Sequence, residues 1–318
     1  MFNHFIHLNI RVIIMPETKH TTLHSSELNG QTQYPRRATG RNSTSAASSQ
    51  RNYRPVERTK ASEDSKADSE NDSAPAYNNP DRVYYPRQPK SLAGIAVRSF
   101  CLGIALTIGI SSTLYILLFT SSPLWRLPFF LASLSTFHFL EFWTTAAYNT
   151  RAAEVSSFLL TANWPGYAIA HSFATLECLV TNVFWPDAQW APFHVGKIIC
   201  LAGLALTVLG QTVRTVAMCQ AGPSFNHLVQ HQRNAGHVLV TSGIYARFRH
   251  PSYFGFFWWA LGTQLTMGNV ISFMGYAAVL WKFFSGRIKV EEEALIRFFG
   301  DEYVDYRKKV GTKIPFVP

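Results

Sequence analysis

Long apolar runs separated by short polar punctuation fill the chain beyond residue 92, whereas polar residues dominate before it. Ser, Asn, Arg and Pro recur there, and large apolar side chains are sparse after Met15. A segment of that kind buries too little apolar surface to offset its chain entropy. Residues 1–91 therefore read as a disordered polar tail. Inside it, residues 5–15 (FIHLNIRVIIM) are apolar but interrupted by His7, Asn9 and Arg11. This run is too short to span a bilayer and no small-residue cleavage site follows it. It reads as an interfacial segment, or as sequence ahead of a start at Met15.

The later runs have the length of membrane spans, for which about 20 residues cross a core of about 30 Å. They lie near 97–119, 127–147, 164–185 and 195–217. A further run, 253–284, is too long for one span and carries Gly268-Asn269 near its middle, a turn that folds it into a hairpin. The expected fold is all-α and integral to the membrane, with about six transmembrane helices, the last two a hairpin. Residues 92–210 supply the first four. Residues 211–318 form a catalytic region of cytosolic loop, hairpin and C-terminal amphipathic helix, the last through Leu295, Phe298, Phe299 and Tyr303. Extra short helices are allowed around 153–163.

Charge adds an orientation. The net charge is +10, and the basic residues flank apolar runs instead of forming one face. Arg87, Lys90, Arg98, Arg151, Arg233, Arg247, Arg249, Arg287, Lys289, Arg307, Lys308 and Lys309 fall on one side of the six-span plan, Arg126 and Lys197 on the other. The positive-inside rule puts both termini in the cytosol. Trp125, Trp164, Trp185 and Trp190 fall near the interfaces, where indoles prefer to sit. That distribution fits a multi-pass membrane protein and no nucleic-acid partner. Mean hydropathy is +0.01, the average of two unlike parts. Cys101, Cys178, Cys200 and Cys219 are scattered through apolar stretches without CxxC pairing, so they read as buried free thiols.

The segment 211–253 is too polar for a span and carries the Gly and Pro of a folded loop. It crowds His227, His231, His237 and His250 with Arg214, Arg247 and Arg249. No pair has the carboxylate-flanked spacing of a metal helix, so no metal site is expected. Beyond the hairpin, Arg287 and Glu291 share a helix face at i, i+4. An exposed pair of that kind contributes a few tenths of a kcal/mol, but ionisable residues at the membrane exit of a span usually serve function. Loop and charged helix meet at one end of the hairpin, making a polar pocket against the membrane. Such a pocket suits a charged cofactor meeting a lipid-like substrate.

Several motifs resemble the isoprenylcysteine carboxyl methyltransferases. They are FNH at 225–227, HVLVTSGIY at 237–245, RHPSYFG at 249–255, WWALGTQ at 258–264, FFSGRI at 283–288, EEEALI at 291–296 and the closing IPF. The likeness is dense over about a third of the chain and only outlined upstream. Asn269-Val270 stands where the family commonly has Asn-Pro, a change in turn stiffness.

The resemblance implies methyl transfer from S-adenosylmethionine to the C-terminal carboxylate of a prenylated cysteine in CaaX-processed proteins, small GTPases among them, at the endoplasmic reticulum membrane. It implies a cofactor site of Gln230, His237, Val238, Leu239, Val240, Tyr245, His250, Pro251, Ser252, Tyr253 and Glu291. Arg287 would face the acceptor carboxylate, with Arg214 assisting. A phospholipid N-methyltransferase or a sterol-reductase-like enzyme is the alternative on a related scaffold. A non-enzymatic membrane receptor, using the polar loop for a partner, is the rival from another class.

Overall fold

The computed structural model describes residues 80–160, 164–186, 195–233 and 236–318. These contain helices and turns and no strand. Seven α-helices follow one another: α1 (Leu92–Phe119), α2 (Arg126–Tyr148), α3 (Gly166–Phe184), α4 (Val195–Ala221), α5 (Pro251–Met267), α6 (Ile271–Phe299) and α7 (Asp301–Lys309). By length and composition, α1 and the stretch Val195–Ser224 are able to cross a membrane. α1 turns Val97, Phe100, Ile104, Ile108, Leu114 and Leu118 outward, an apolar surface that suits lipid contact.

The tightest pairing is between α4 and α5, and glycine makes it possible. Gly203 and Gly210 on α4 meet Gly262 and Gly255 on α5 in antiparallel order. A Cβ at Gly203 would lie 2.5 Å from the Thr266 backbone nitrogen, and one at Gly255 2.6 Å from that of Arg214. Helices in lipid associate through such close backbone approach, because apolar side chains gain nothing by leaving the bilayer. α1 and α2 repeat the device, where a Cβ at Gly109 would lie 2.8 Å from the Pro128 carbonyl.

The hairpin turns at Gly268, whose φ of 76° closes α5. Asn269 is buried and donates to the Ala174 carbonyl and the Gln264 side chain, both at 2.9 Å. α6 has no side-chain cap of its own. Glu177 on α3 supplies one, accepting from the backbone N–H groups of Val270 (2.8 Å), Ile271 (2.7 Å) and Ser272 (2.7 Å) and from the Ser272 hydroxyl (2.6 Å). An anionic carboxylate at a helix N-terminus satisfies orphan donors and complements the dipole. Between these helices Phe137 stacks on Trp259 at 4.1 Å, while Tyr253, Phe257, Phe284, Ile288, Ile314 and Val317 form the main apolar cluster.

Three expectations on extent are corrected. The polar tail was expected to reach residue 91, yet residues 80–91 are built into the fold. Pro80–Tyr84 forms a 3-10 turn, the Ser91 hydroxyl caps α1, and the Lys90 ammonium donates to the Arg151 carbonyl at 2.7 Å. Second, the polar loop was expected to begin at 211, but α4 stays helical to Ala221 because its polar side chains find partners inside the bundle. Third, the expected single C-terminal amphipathic helix is two pieces. Leu295, Phe298 and Phe299 end α6, Gly300 (φ 57°) breaks the chain, and Tyr303 lies on α7. Short 3-10 turns do occur at Thr150–Ala152 and Val155–Phe158. Residues 1–79, the 5–15 segment and Trp190 fall outside the described residues.

Candidate active site

The site follows from where α4 and α6 end and α5 begins. α6 has 29 residues, about 43 Å at 1.5 Å per residue, so it outruns a hydrocarbon core of about 30 Å. Its last turns, with Glu291 to Phe299, project past the apolar bundle. The loop 222–250 crosses back over them and is pinned along its length. The Val238 N–H donates to the Ser224 hydroxyl at 3.2 Å, and the Ile244 N–H to the Gln220 side chain at 2.8 Å. The Arg233 guanidinium donates to the Phe298 carbonyl at 3.0 Å. Gly243 has φ 61° and lies so close to Gln220 that a Cβ would meet its oxygen at 2.5 Å.

Between loop, α6 and α7 opens a cleft with a solvent-facing mouth. Its wall holds His237, Val238, Leu239, Val240, Tyr245, His250, Pro251, Ser252, Tyr253 and Glu291. Those are ten of the residues that the family resemblance implies for the cofactor. Gln230 lines an adjoining recess that shares His237 and Glu291 with the cleft. Tyr303, Tyr306 and Phe299 complete the wall. Among the described residues no group of three or more His, Cys, Asp or Glu side chains is placed to hold a metal ion.

Arg287 and Glu291 do not pair directly. The Tyr253 hydroxyl stands between them, donating to the Glu291 carboxylate and accepting from Arg287 Nε at 2.8 Å. Arg287 Nη2 donates to the His227 carbonyl. Two edges of the guanidinium are thus fixed, and Nη1 is left to meet an acceptor. His250 is 6% exposed, stacks on Tyr253 at 5.4 Å and places Nε2 3.2 Å from Glu292 Oε1. Burial lowers the His237 pKa below its ordinary value, Arg233 adding to the shift and Glu291 opposing it.

Arg214 sits elsewhere. It is 4% exposed and forms a bidentate pair with Glu141 of α2, itself 1% exposed. Its remaining Nη1 donates to the Ser252 carbonyl at 3.0 Å, and the rings of Phe137 and Phe256 cover it. Three of its five N–H groups hold Glu141 and the Ser252 carbonyl, so here it braces α2 and α4 against the start of α5.

Two residues escaped the sequence reading. Glu141 lies about a hundred residues before the motifs, with no local pattern to mark it. Glu292 stood in plain view beside Glu291. The structure pairs it with Arg249 at 2.5 Å, and Arg249 also donates to the Val310 carbonyl at 2.8 Å. That knot fastens the C-terminal segment beneath the cleft.

The fold places a cleft at the end of a bundle of helices, two of them long and apolar enough to cross a membrane. Comparison with known proteins makes the class specific. Residues 203–297 match the model of the isoprenylcysteine carboxyl methyltransferase (ICMT) family. The chain is 46% identical over 224 residues to the protein-S-isoprenylcysteine O-methyltransferase of Saccharomyces cerevisiae, covering 70% of this chain and 91% of that one. It is 39% identical over 223 residues to the Homo sapiens enzyme of the same name, covering 70% and 75%. A solved structure of the eukaryotic intramembrane Ras methyltransferase ICMT superposes with a TM-score of 0.64 at 35% identity, covering 74% of this chain and 80% of that one. The chain belongs to the isoprenylcysteine carboxyl methyltransferase family.

Proposed function

We propose that this chain methylates the C-terminal carboxylate of prenylated cysteine, with S-adenosylmethionine as methyl donor bound in the cleft between loop 222–250 and α6. The observation that carries this reading is the Arg287–Tyr253–Glu291 bridge. It sets a cation with a free edge beside a carboxylate that lines the cleft. The acceptor is an anion at neutral pH, so no general base is needed. S-adenosylmethionine supplies an electrophilic methyl on a sulfonium. The acceptor oxygen gains the C–O bond, the C–S bond breaks, and its electron pair stays on sulfur.

The residues divide that work. Arg287 Nη1 orients the acceptor carboxylate, since a guanidinium fork matches it geometrically. Glu291 takes the donor's ammonium or ribose, Val238 to Val240 face its adenine, and His250, Pro251, Ser252 and Tyr245 close the floor. His250 contacts the cofactor and does not act as a base. Two opposite charges vanish in the transition state, so a partly desolvated cleft favours reaction. The prenyl chain lies among the apolar helices, where each buried CH2 contributes about 0.8 kcal/mol. CaaX proteins such as small GTPases are the substrates. The site faces the cytosol from the endoplasmic reticulum membrane, which six helices cross.

Purified protein in lipid, given radiolabelled S-adenosylmethionine and a small prenylcysteine, should yield base-labile carboxyl methyl label. Arg287→Ala should lower acceptor kcat/KM by about 10- to 100-fold, the range for a hydrogen bond to a charged group. Glu291→Ala should chiefly weaken donor binding. Near-normal kinetics in both variants would overturn the assignment.

A further inference from the structure

Glu141 and Thr145 on α2 and Asn149, the residue that caps its end, are spaced i, i+4, i+8 and form one stripe toward a common partner. All three face the loop that carries Phe225-Asn226-His227. The Asn149 amide donates to the Phe225 carbonyl at 2.8 Å. Thr145 Oγ1 lies 3.1 Å from His227 Nε2. The same hydroxyl spends its one proton on the Glu141 backbone carbonyl at 2.8 Å, so His227 Nε2 is the donor to it. Glu141 Oε2 lies 3.7 Å from His227 Nδ1 while both of its oxygens hold Arg214. The stripe lies outside the 203–297 block matched by the family model.

What this stripe holds is the backbone that fixes Arg287. The His227 side chain is pinned to α2, and its carbonyl accepts from Arg287 Nη2. The other branch runs through Arg214 to the Ser252 carbonyl, next to Tyr253, whose hydroxyl accepts from Arg287 Nε. One contact that orients the guanidinium therefore traces back to Thr145, through the His227 side chain, and the other to Glu141, through Arg214 and Ser252. We infer that the Glu141–Thr145–Asn149 stripe of α2 is a positioning element that aims Arg287 at the acceptor carboxylate. This rests on the reading of Arg287 as the acceptor anchor.

A side chain that acts only through Arg287 should change acceptor use and spare the donor. The full-length protein in lipid is assayed with a small prenylcysteine and S-adenosylmethionine, alongside donor binding by calorimetry. Thr145→Val removes the His227 partner with little change of shape and leaves the Arg214–Glu141 pair intact. It should cut acceptor kcat/KM by about 3- to 10-fold, with the donor Kd within about twofold, as for loss of one ordinary hydrogen bond. Glu141→Gln should cut it by about 10- to 100-fold, because a charged bond is lost, and should weaken donor binding as well, because Ser252 lines the cleft. Equal losses in both parameters for Thr145→Val would mark the stripe as merely structural. So would unchanged acceptor kinetics in folded Thr145→Val, the variant that decides the matter if Glu141→Gln does not fold. Arg287→Ala is run in parallel. If it leaves the acceptor parameters alone, the anchor reading itself fails. If Arg287→Ala matters and Thr145→Val does not, only the positioning inference falls.

Discussion

One hydroxyl joins two charged side chains. Tyr253 donates to Glu291 and accepts from Arg287, so on the proposed reading it couples the carboxylate that takes the donor to the cation that takes the acceptor. Tyr253→Phe should therefore disturb both substrates, raising the KM of each by up to about 10-fold, whereas Arg287→Ala touches the acceptor alone. Steady-state kinetics with each substrate varied in turn distinguishes them. His227 carries a second prediction. Burial lowers its pKa to about 4, against the pull of Glu141 and with the help of Arg214 and Arg287. In the unfolded chain it titrates near 6.5. The folded state thus holds fewer protons than the unfolded one between those values, and stability falls as pH drops from 6.5 toward 4. Up to about 3 kcal/mol is at stake. The thermal midpoint should slope downward through that window, and His227→Gln should flatten the slope.

At the scale of helices, spacing predicts well where contacts are local and poorly where they are distant. The span positions and the Gly268-Asn269 turn are legible because apolar length and a Gly turn act within a few residues. The end of α4 is not. Gln211 to Gln220 is too polar to read as part of a span, and Glu141, 73 residues away, together with the Ser252 carbonyl, makes the Arg214 charge tolerable in a helix. The cleft shows the same division. His237 to Val240 and His250 to Tyr253, which line the cleft, lie in contiguous motifs, while the α2 side chains that brace His227 and Ser252 have no motif of their own. Glu177 presents another distant dependence, for it caps a helix that begins after Val270. Glu177→Ala should cost about 1–3 kcal/mol by stranding backbone donors, seen as a lower thermal midpoint with the cleft chemistry intact. Gly262→Val is predicted to be far worse. Its Cβ would fall 2.6 Å from the Thr207 backbone nitrogen, and backbone cannot yield as a side chain can, so α4 and α5 must separate. Loss of folded protein on size-exclusion chromatography is the expected result.

The whole molecule places its polar staples at opposite ends of an apolar bundle. Arg126 with Asn182, Asn182 with the Met267 carbonyl, and Glu177 with the start of α6 gather at one end. Lys90 with the Arg151 carbonyl, Asn149 with the Phe225 carbonyl, and the Arg249–Glu292 knot gather at the other. Arg126, which the charge count assigns to a loop, is buried at 6%, so one of the two charges opposing the orientation is part of the packing. The positive-inside bias then becomes sharper than sequence alone makes it. The second end, with the cleft, should face the cytosol, where processed CaaX proteins and S-adenosylmethionine meet it. Glycan acceptor sites on short Gly-Ser spacers test this in endoplasmic reticulum membranes. One inserted after Thr120, at the far end of α1, should be glycosylated, and one inserted after Lys309 should not. The opposite pattern would turn the cleft toward the lumen, away from its substrates, and would be incompatible with the proposed activity.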